Sequence, residues 1–550
     1  MKQSIFKLLL LSAPLVGATS CDDFLAQYSQ DLVVAKSVSD LNELLVGDVY
    51  LRSYTVDNGM NGGTYAFVNC LDDDINMARP KEGETSNGAH NTAWRNVTSQ
   101  LFGYFAWQQD VRYNFGGTNK QEDNTTWNTL YQRIAHANNI IDIIDEMPHA
   151  TNDEATLYHR VKGEAHFVRA HFYWMLANLY GKPFRPDSAA TDLCVPLKLT
   201  PHVSHLKERD TQFDRATVAE VYDQVIADLL VARDQLTLSP QPARFRLHRA
   251  SLEAAQLLLS RVYLYKQDWA AAEAAAAAVM QSPNFALASI SQLGARSPFL
   301  TQGNSEIIFS QGANHIAPKN TTTSLTGDPG DYCVSRELYD LYAEEDVRKA
   351  NFFAVNANSD SIRLTYKYER GLELNHISDA LALRVAEAYL NHAEACAMQG
   401  KSADANASLA ALRAQRIMGY AHTALSGRPL VDDIRLERRR ELCFEGHRWF
   451  DLRRYAVNAQ YPFGKTIRHT FNSFDDNAYF VASHIFELPA GDPAYTFAIP
   501  PKALEFDKVP MPNNLRPKRE ELREARPLLP PAPVAPVSPA PARGWSGLQF

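Results

Sequence analysis

"ERRRELCFEGHRWFDLRRYA", residues 437–456, gathers four acids and six arginines around a Trp-Phe pair. Dense charge ordinarily marks a solvated face, yet Trp449, Phe450 and Leu452 call for burial. Read as one helix, Glu437, Glu441 and Glu445 fall at i, i+4 and i+8 and share a stripe. An arginine sits three positions from each acid: Glu437–Arg440, Arg438–Glu441, Glu445–Arg448 and Arg448–Asp451. Pairs at that spacing meet on a helix surface. A cation at hand holds a carboxyl ionised and disfavours a catalytic proton donor. The stretch therefore reads as a partly buried ion-pair network that fastens the last helix to a bundle. Its arginines are committed to acids, which also argues against a nucleic-acid patch.

Outward from this motif, amphipathic helical patterns come in pairs. Residues 127–147 place Leu130, Ile134, Ala137, Ile140, Ile141 and Ile144 on one stripe, the helical period. Residues 164–181 follow and stop at Gly181 with Pro183 beyond, a C-terminal signal. Residues 217–236 form another amphipathic helix. Residues 249–280 read helix, turn at Gln267-Asp268, helix, with Ala254, Ala255, Ala271 and Ala274 as small residues for close approach. A similar unit spans 383–418, where Tyr389, Ala393, Gly400, Ala405 and Leu409 fall as in a tetratricopeptide-like hairpin. The expected fold is mainly α: a tetratricopeptide-like helical hairpin scaffold with long, loop-rich ligand-binding insertions. The insertions cover about 55–121, 283–331 and 457–498. Loops displayed on a rigid frame are where binding concentrates.

Composition narrows the function. The 550-residue chain carries a formal net charge of −8, so as a whole it is not built to gather on nucleic acid or anionic membrane. Residues 1–20 follow the plan of a secretory signal, with Lys2 and Lys7 before an apolar run from Leu8 to Val16 and small residues after it. Cys21 directly follows and is the expected lipidation site. The other five cysteines are scattered with no C-x-x-C pair, so neither zinc spacing nor a disulfide framework is expected. Cys396 and Cys443 read as buried apolar residues within helices. "DDDIN", residues 72–76, opens like a calcium loop, but Met77 replaces the required glycine and Gly83 stands where the bidentate Glu belongs. An EF-hand is excluded and no metal is expected, a looser calcium site through these oxygens being the minor alternative. No other cofactor is expected.

The chain resembles the RagB/SusD family of outer-membrane nutrient-binding lipoproteins. The resemblance rests on "CDDFL" (21–25), "GEAHFVRAHFYWMLANLYGKPF" (163–184), "EVYDQVIADLLVA" (220–232), "EIIFS" (306–310), "SRELYDLYAEEDVRKANFF" (335–353), "LRVAEAYLNHAEA" (383–395), the 437–456 motif and "FAIPPKALEF" (497–506), in that order. It implies structural signature positions at Glu164, Arg169, Glu441, Glu445, Arg448, Trp449 and Asp451. It implies a lipid-anchored, surface-exposed outer-membrane protein, not an enzyme. Such a protein captures an oligosaccharide, or in some members a peptide, and delivers it to a SusC-like TonB-dependent transporter barrel. The chain departs from the family in running on for several dozen residues after the Ile-Pro segment, and no motif in 55–121 maps onto a known glycan site.

The organisation expected is a signal peptide (1–20), an N-terminal helical region (21–236) with its insertion (55–121), a helical hairpin and insertion (237–304), a C-terminal family region (305–515), and a Pro/Ala-rich, disordered tail (516–550). Sugars call for aromatic platforms beside Asn, Asp and Arg. The candidates are Trp94, Arg95, Asn96 and Tyr104, with Asp73 and Asn76 upstream and Tyr332 and Asn320 in or beside the second insertion. Tyr104 and Trp107, both in "YFAW", read first as core anchors. The rivals are a secreted glycosidase, which would need a carboxylate pair freed from arginines, and a helical scaffold that binds only protein. Glu445→Ala or Arg448→Ala is expected to lower the melting temperature by stranding a partner charge, with ligand binding of the folded fraction unchanged. Normal melting with lost binding would reverse the structural assignment of this motif.

Overall fold

The computed structural model describes residues 35–50, 66–78, 101–117, 125–201, 214–239, 247–293, 296–311, 332–356, 361–368, 382–475, 479–505 and 510–522. Ten principal helices carry the frame: α1 (Val38–Leu44), α2 (Thr125–Ile143), α3 (Asn152–Tyr180), α4 (Val218–Thr237), α5 (Leu252–Lys266), α6 (Trp269–Met280), α7 (Val385–Met398), α8 (Ser402–Ala414), α9 (Gly427–Leu442) and α10 (Arg448–Ala456). From α2 to α8 each helix packs on the next, and α7 also packs on α9. The result is the stack of helical hairpins expected from the sequence.

Local chemistry sets the boundaries. Thr151 and Glu154 close a capping box on α3, and Thr217 and Glu220 close one on α4; each satisfies orphan backbone donors of the first turn. Gln267 adopts a left-handed conformation and Asp268 caps α6, which makes the tight α5–α6 turn. The α2 stripe is buried at Leu130, Ile134, Ala137, Ile140 and Ile144. On α6 the buried small residues are Ala272 and Ala276, while Ala271 is half-buried and Ala274 exposed.

The inserted stretches supply short strands. β1 (Ile75–Met77) pairs antiparallel with β5 (Tyr332–Val334), in a sheet ordered β1-β5-β7-β6 with β6 (Phe353–Val355) and β7 (Ile362–Leu364). Two-stranded pairs are formed by β2 (Leu193–Pro196) with β3 (Arg215–Thr217), β4 (Ile307–Phe309) with β8 (Leu383–Arg384), and β9 (Ile467–Phe474) with β10 (Phe480–Leu488). Among the described residues no helix is long and apolar enough to cross a membrane. Residues 510–522 run extended over the body, so position 516 falls inside a docked segment: Arg516 is buried, and Asn514 donates to the carbonyls of Tyr180 and Phe497.

The 437–456 motif departs from a single helix. α9 ends at Leu442, Phe444 and Gly446 take positive φ (58° and 76°), and α10 restarts at Arg448. Glycine tolerates that backbone region without steric cost. Cys443 therefore lies at the helix end, buried as expected. The break turns Glu445 inward. Of the four spacing-based ion pairs, Glu437–Arg440 forms, at 2.6 Å. The other three acid-arginine pairs are replaced by different partners, all but Arg454–Asp451 distant in sequence. Arg438 and Arg454 share Asp451, Arg448 reaches Asp73, and Glu445 is held by Arg384 and Lys367.

Arg384 is the centre of this lattice. It donates to Glu306 (2.8 Å), Glu441 (2.6 Å) and both oxygens of Glu445 (2.7 and 2.8 Å). Arg416 donates to Glu306 and Glu441, and Arg348 touches Glu437 and Glu441 at 2.7 Å. The side chains of Glu306, Glu437, Glu441, Glu445, Arg348, Arg384, Arg416 and Lys367 are all fully buried. Burial alone would raise the glutamic acids. Arg348, Arg440 and Arg413 outweigh it at Glu437, Arg416, Arg384 and Arg348 at Glu441, and Arg384 and Lys367 at Glu445. All three are held below the ordinary carboxylate range. Such groups stabilise the fold above their unfolded pKa, about 4.3 for Glu, and lose that contribution as pH falls through the native values. Stability measured by denaturant is expected to drop steeply below about pH 4, and Glu441→Gln is expected to cost about 3–5 kcal/mol at neutral pH. A profile flat from about pH 4 to about pH 2 would contradict an ionised lattice.

Candidate functional site

A cleft of about 320 Å³ opens beside the first insertion, at the lower end of the roughly 300–1,000 Å³ usual for small-molecule sites. The short helix Phe102–Phe105 presents Tyr104 to it. Gly103 makes this possible: a Cβ there would lie 2.2 Å from the Val111 carbonyl oxygen. That close approach brings Asp110 and Arg112 back beside Tyr104. The Tyr104 ring stacks on Phe67 with centroids 4.4 Å apart, and Phe497 meets Phe67 edge-on at 5.5 Å. Arg112 forms a two-pronged pair with Asp110 at 2.7 and 2.6 Å. Gln109, exposed, and Asn513 add amide groups to the rim. Arg516 lies 4.7 Å from the Phe497 ring centre and donates to the carbonyls of Ala494 and Gln108. Burial pulls its guanidinium down to about 10. Stacked rings beside amide, carboxylate and guanidinium groups match the two needs of a saccharide: an apolar ring face and many hydroxyls.

A second cavity, about 560 Å³, lies against α10 and is lined by Lys182, Asp192, Arg215, Arg453, Tyr495 and Asn514 among others. Asn513 contributes to both cavities, so the 510–516 segment shapes them together. The larger cavity offers one aromatic ring, Tyr495. Arg215 spends its fork on the carbonyls of Cys194, Tyr180, Leu193 and Pro512 and on Asn514.

The structure separates the remaining candidates. Trp94, Arg95, Asn96 and Asn320 lie outside the described residues. Tyr104 lines the cleft. Trp107 is fully buried and donates to the Leu71 carbonyl at 2.8 Å, a core anchor. Asp73, offered as a ligand contact, is buried instead. Arg448 grips both of its oxygens (2.7 and 2.9 Å), and Arg439 and Lys465 close on it. Burial would raise Asp73, but Arg448, Arg439 and Lys465 hold it well below the usual range. Asn76 directs its side-chain carbonyl to the backbone N–H of Met77 and Thr470, fixing β1 to β9. Tyr332 is buried in β5 with its ring 5.1 Å from Phe105. Asp73 is held by its counter-charges, Asn76 by backbone N–H groups and Tyr332 by β1–β5 pairing, so all three side chains are engaged within the fold.

The same network bears on the calcium expectation. Asp72, Asp73 and Asp74 bring carboxylate oxygens within 4.8 Å of one another. Arg439 occupies Asp74 at 2.7 Å, and Asp73 is spoken for. Burial and the charges of Asp74 and Asp73 raise Asp72 well above the usual range. Guanidinium groups already supply the positive charge that a cation would bring.

Two segments of the chain match families of one group. Residues 57–264 match the family described as "Starch-binding associating with outer membrane", and residues 356–505 match the SusD family. The chain belongs to the SusD/RagB family. A SusD-like protein, P25, from Formosa agariphila is 30% identical over 153 residues, which take in 28% of this chain and a quarter (25%) of that relative's length. A SusD superfamily protein from Bacteroides thetaiotaomicron shares the fold at a TM-score of 0.62 and 21% identity, covering 87% of this chain and all (100%) of that one. A SusD-like carbohydrate binding protein from Bacteroides vulgatus does so at 0.59 and 22%, covering 85% and 96%.

The SusD/RagB signature positions are structural anchors here. Glu164 is paired with Arg249 and accepts from Tyr50; Arg169 grips Asp228 and donates to Asn138. Trp449 is fully buried and stacked on Tyr495 at 4.5 Å. Sequence reasoning missed Phe67, Asp110, Arg112, Phe497 and Arg516 at the cleft. Asp110 and Arg112 stood six and eight positions after Tyr104, a legible signal once the turn at Gly103 is seen. Phe67, Phe497 and Arg516 are brought in by tertiary packing and left no local sign.

Proposed function

We propose that the chain is a cell-surface, non-catalytic receptor that captures an oligosaccharide and hands it to a TonB-dependent outer-membrane transporter. In this reading Cys21 is acylated and holds the protein on the outer membrane. The observation that carries the proposal is the cleft at Tyr104, where aromatic faces and hydrogen-bonding groups meet on a rigid frame. A non-catalytic role is supported by the fate of the motif carboxylates. A glycosidase needs one acid kept protonated in an apolar surround, whereas Glu437, Glu441 and Glu445 are held ionised by arginines. Trp94, Arg95 and Asn96 are proposed as further ligand contacts from the first insertion.

Calorimetry with a panel of oligosaccharides, and with peptides as the competing class, tests this reading. Tyr104→Ala is expected to weaken saccharide binding about tenfold, roughly 1.4 kcal/mol, without a change in melting. Trp94→Ala is expected to act in the same direction. No reducing ends should accumulate on prolonged incubation. Binding of peptides alone would replace the ligand class, and turnover abolished by a single Asp or Glu substitution would replace the receptor by an enzyme.

A further inference from the structure

We propose that Glu273, His392 and Cys396 form a site for a transition-metal ion of the zinc class, bridging two neighbouring helices of the stack. His392 and Cys396 stand four residues apart on α7 and so share a face. Glu273 projects from α6, which packs against α7. One potential ligand atom from each residue lies within 4.8 Å of the others. Cys396 Sγ is 3.6 Å from His392 Nδ1 and 3.8 Å from Nε2. Zn–S bonds of about 2.3 Å and Zn–N bonds of about 2.0–2.1 Å at a tetrahedral angle place S and N about 3.6 Å apart. The Sγ–Nε2 distance of 3.8 Å is near the spacing the ion would impose.

The surrounding groups match an outer shell. Ser408 Oγ is 2.9 Å from His392 Nδ1; with Nδ1–H donating to that hydroxyl, Nε2 is the ligating nitrogen. Gln399 and Lys401 each donate to Glu273 Oε2 at 2.6 Å, which orients the carboxylate; the Lys401 ammonium is exposed and can swing to solvent when the ion binds. Outer-shell partners of this kind fix ligand geometry in metal sites. Three protein ligands leave the fourth tetrahedral position to water, reachable because Glu273 and His392 are only half-buried. A thiolate-imidazole-carboxylate set selects zinc-like ions over calcium or magnesium, which prefer oxygen alone. On binding, Cys396 forms a sulfur–metal bond and its proton passes to solvent. The ion would pin α6 to α7 independently of the saccharide cleft.

The test uses the full mature chain stripped with a chelator, carrying Cys21→Ser to remove the anchor thiol; the remaining cysteines outside the site, Cys70, Cys194, Cys333 and Cys443, are buried. Titration with Co²⁺ is expected to give one equivalent, with a thiolate-to-cobalt charge-transfer band and the visible absorption of tetrahedral cobalt. Zn²⁺ is expected to displace cobalt and raise the melting temperature. Cys396→Ser should lose the charge-transfer band. His392→Ala and Glu273→Gln, at half-exposed positions that keep the fold, should weaken zinc binding more than Ser408→Ala, for which about a 10- to 100-fold loss is expected. Absence of stoichiometric uptake by the parent protein, or uptake unchanged in His392→Ala and Glu273→Gln, would overturn the proposal.

Discussion

The interaction on which the architecture depends is the contact of Arg384 with Glu306, Glu441 and Glu445 in a region without solvent. Taking one ion out of water costs several kcal/mol. The cost is tolerable here because each partner is itself shared. Glu441 accepts from Arg348, Arg384 and Arg416, and Glu306 from Arg384 and Arg416. A lattice of that kind admits one arrangement of the chain and penalises near misses, since any displaced member leaves an unpaired buried charge. It joins the loop before β4, β8 with the start of α7, the end of α8 and the α9–α10 break. The C-terminal hairpins are thereby registered against one another by charge as much as by apolar packing.

A second cluster extends the same logic to the N-terminal part. Arg439 and Arg448, from α9 and α10, close on Asp73 and Asp74 beside β1. Those acids sit next to the segment that leads through Trp107 and the Phe102–Phe105 helix to the cleft. Trp107 and Phe105 both stack on His469 of β9, at 4.4 and 4.2 Å. The cleft is therefore backed by a continuous series of buried contacts running from the helical frame to Tyr104. Its walls come from Phe67, Tyr104, residues 109–112, Tyr180, residues 497–501, Asn513 and Arg516, so parts of the chain far apart in sequence converge on one rigid base.

The helical frame was legible where its signals are local: the α2 stripe, the stop at Gly181 and the turn at Gln267-Asp268 lie within a few positions of what they determine, whereas α3 starts at Asn152, twelve residues before the 164 read from the sequence. The charged motif was legible as structural but not in its pairing. Spacing on a helix predicts partners three residues away, and Gly446 interrupts that helix. The acids then find arginines by tertiary geometry, which no short window contains. Asp73 misled for the same reason. An acidic run between loops resembles a binding site until Arg448, 375 residues later, is seen to neutralise it. At the cleft, Tyr104 was within reach of sequence reasoning, whereas Arg516 was placed in a tail and proved to be a wall.

The separation between Asp73 and its counter-charges has a consequence for how the chain acquires its structure. Asp73 and Asp74 are buried beside guanidinium groups supplied by residues 365–375 positions downstream. Closing so long a loop is entropically costly and slow. Without those arginines the N-terminal third would carry buried carboxylates with no counter-charge. The packing of the N-terminal third is in this way tied to α9 and α10, and the two ends of the chain form one cooperative unit.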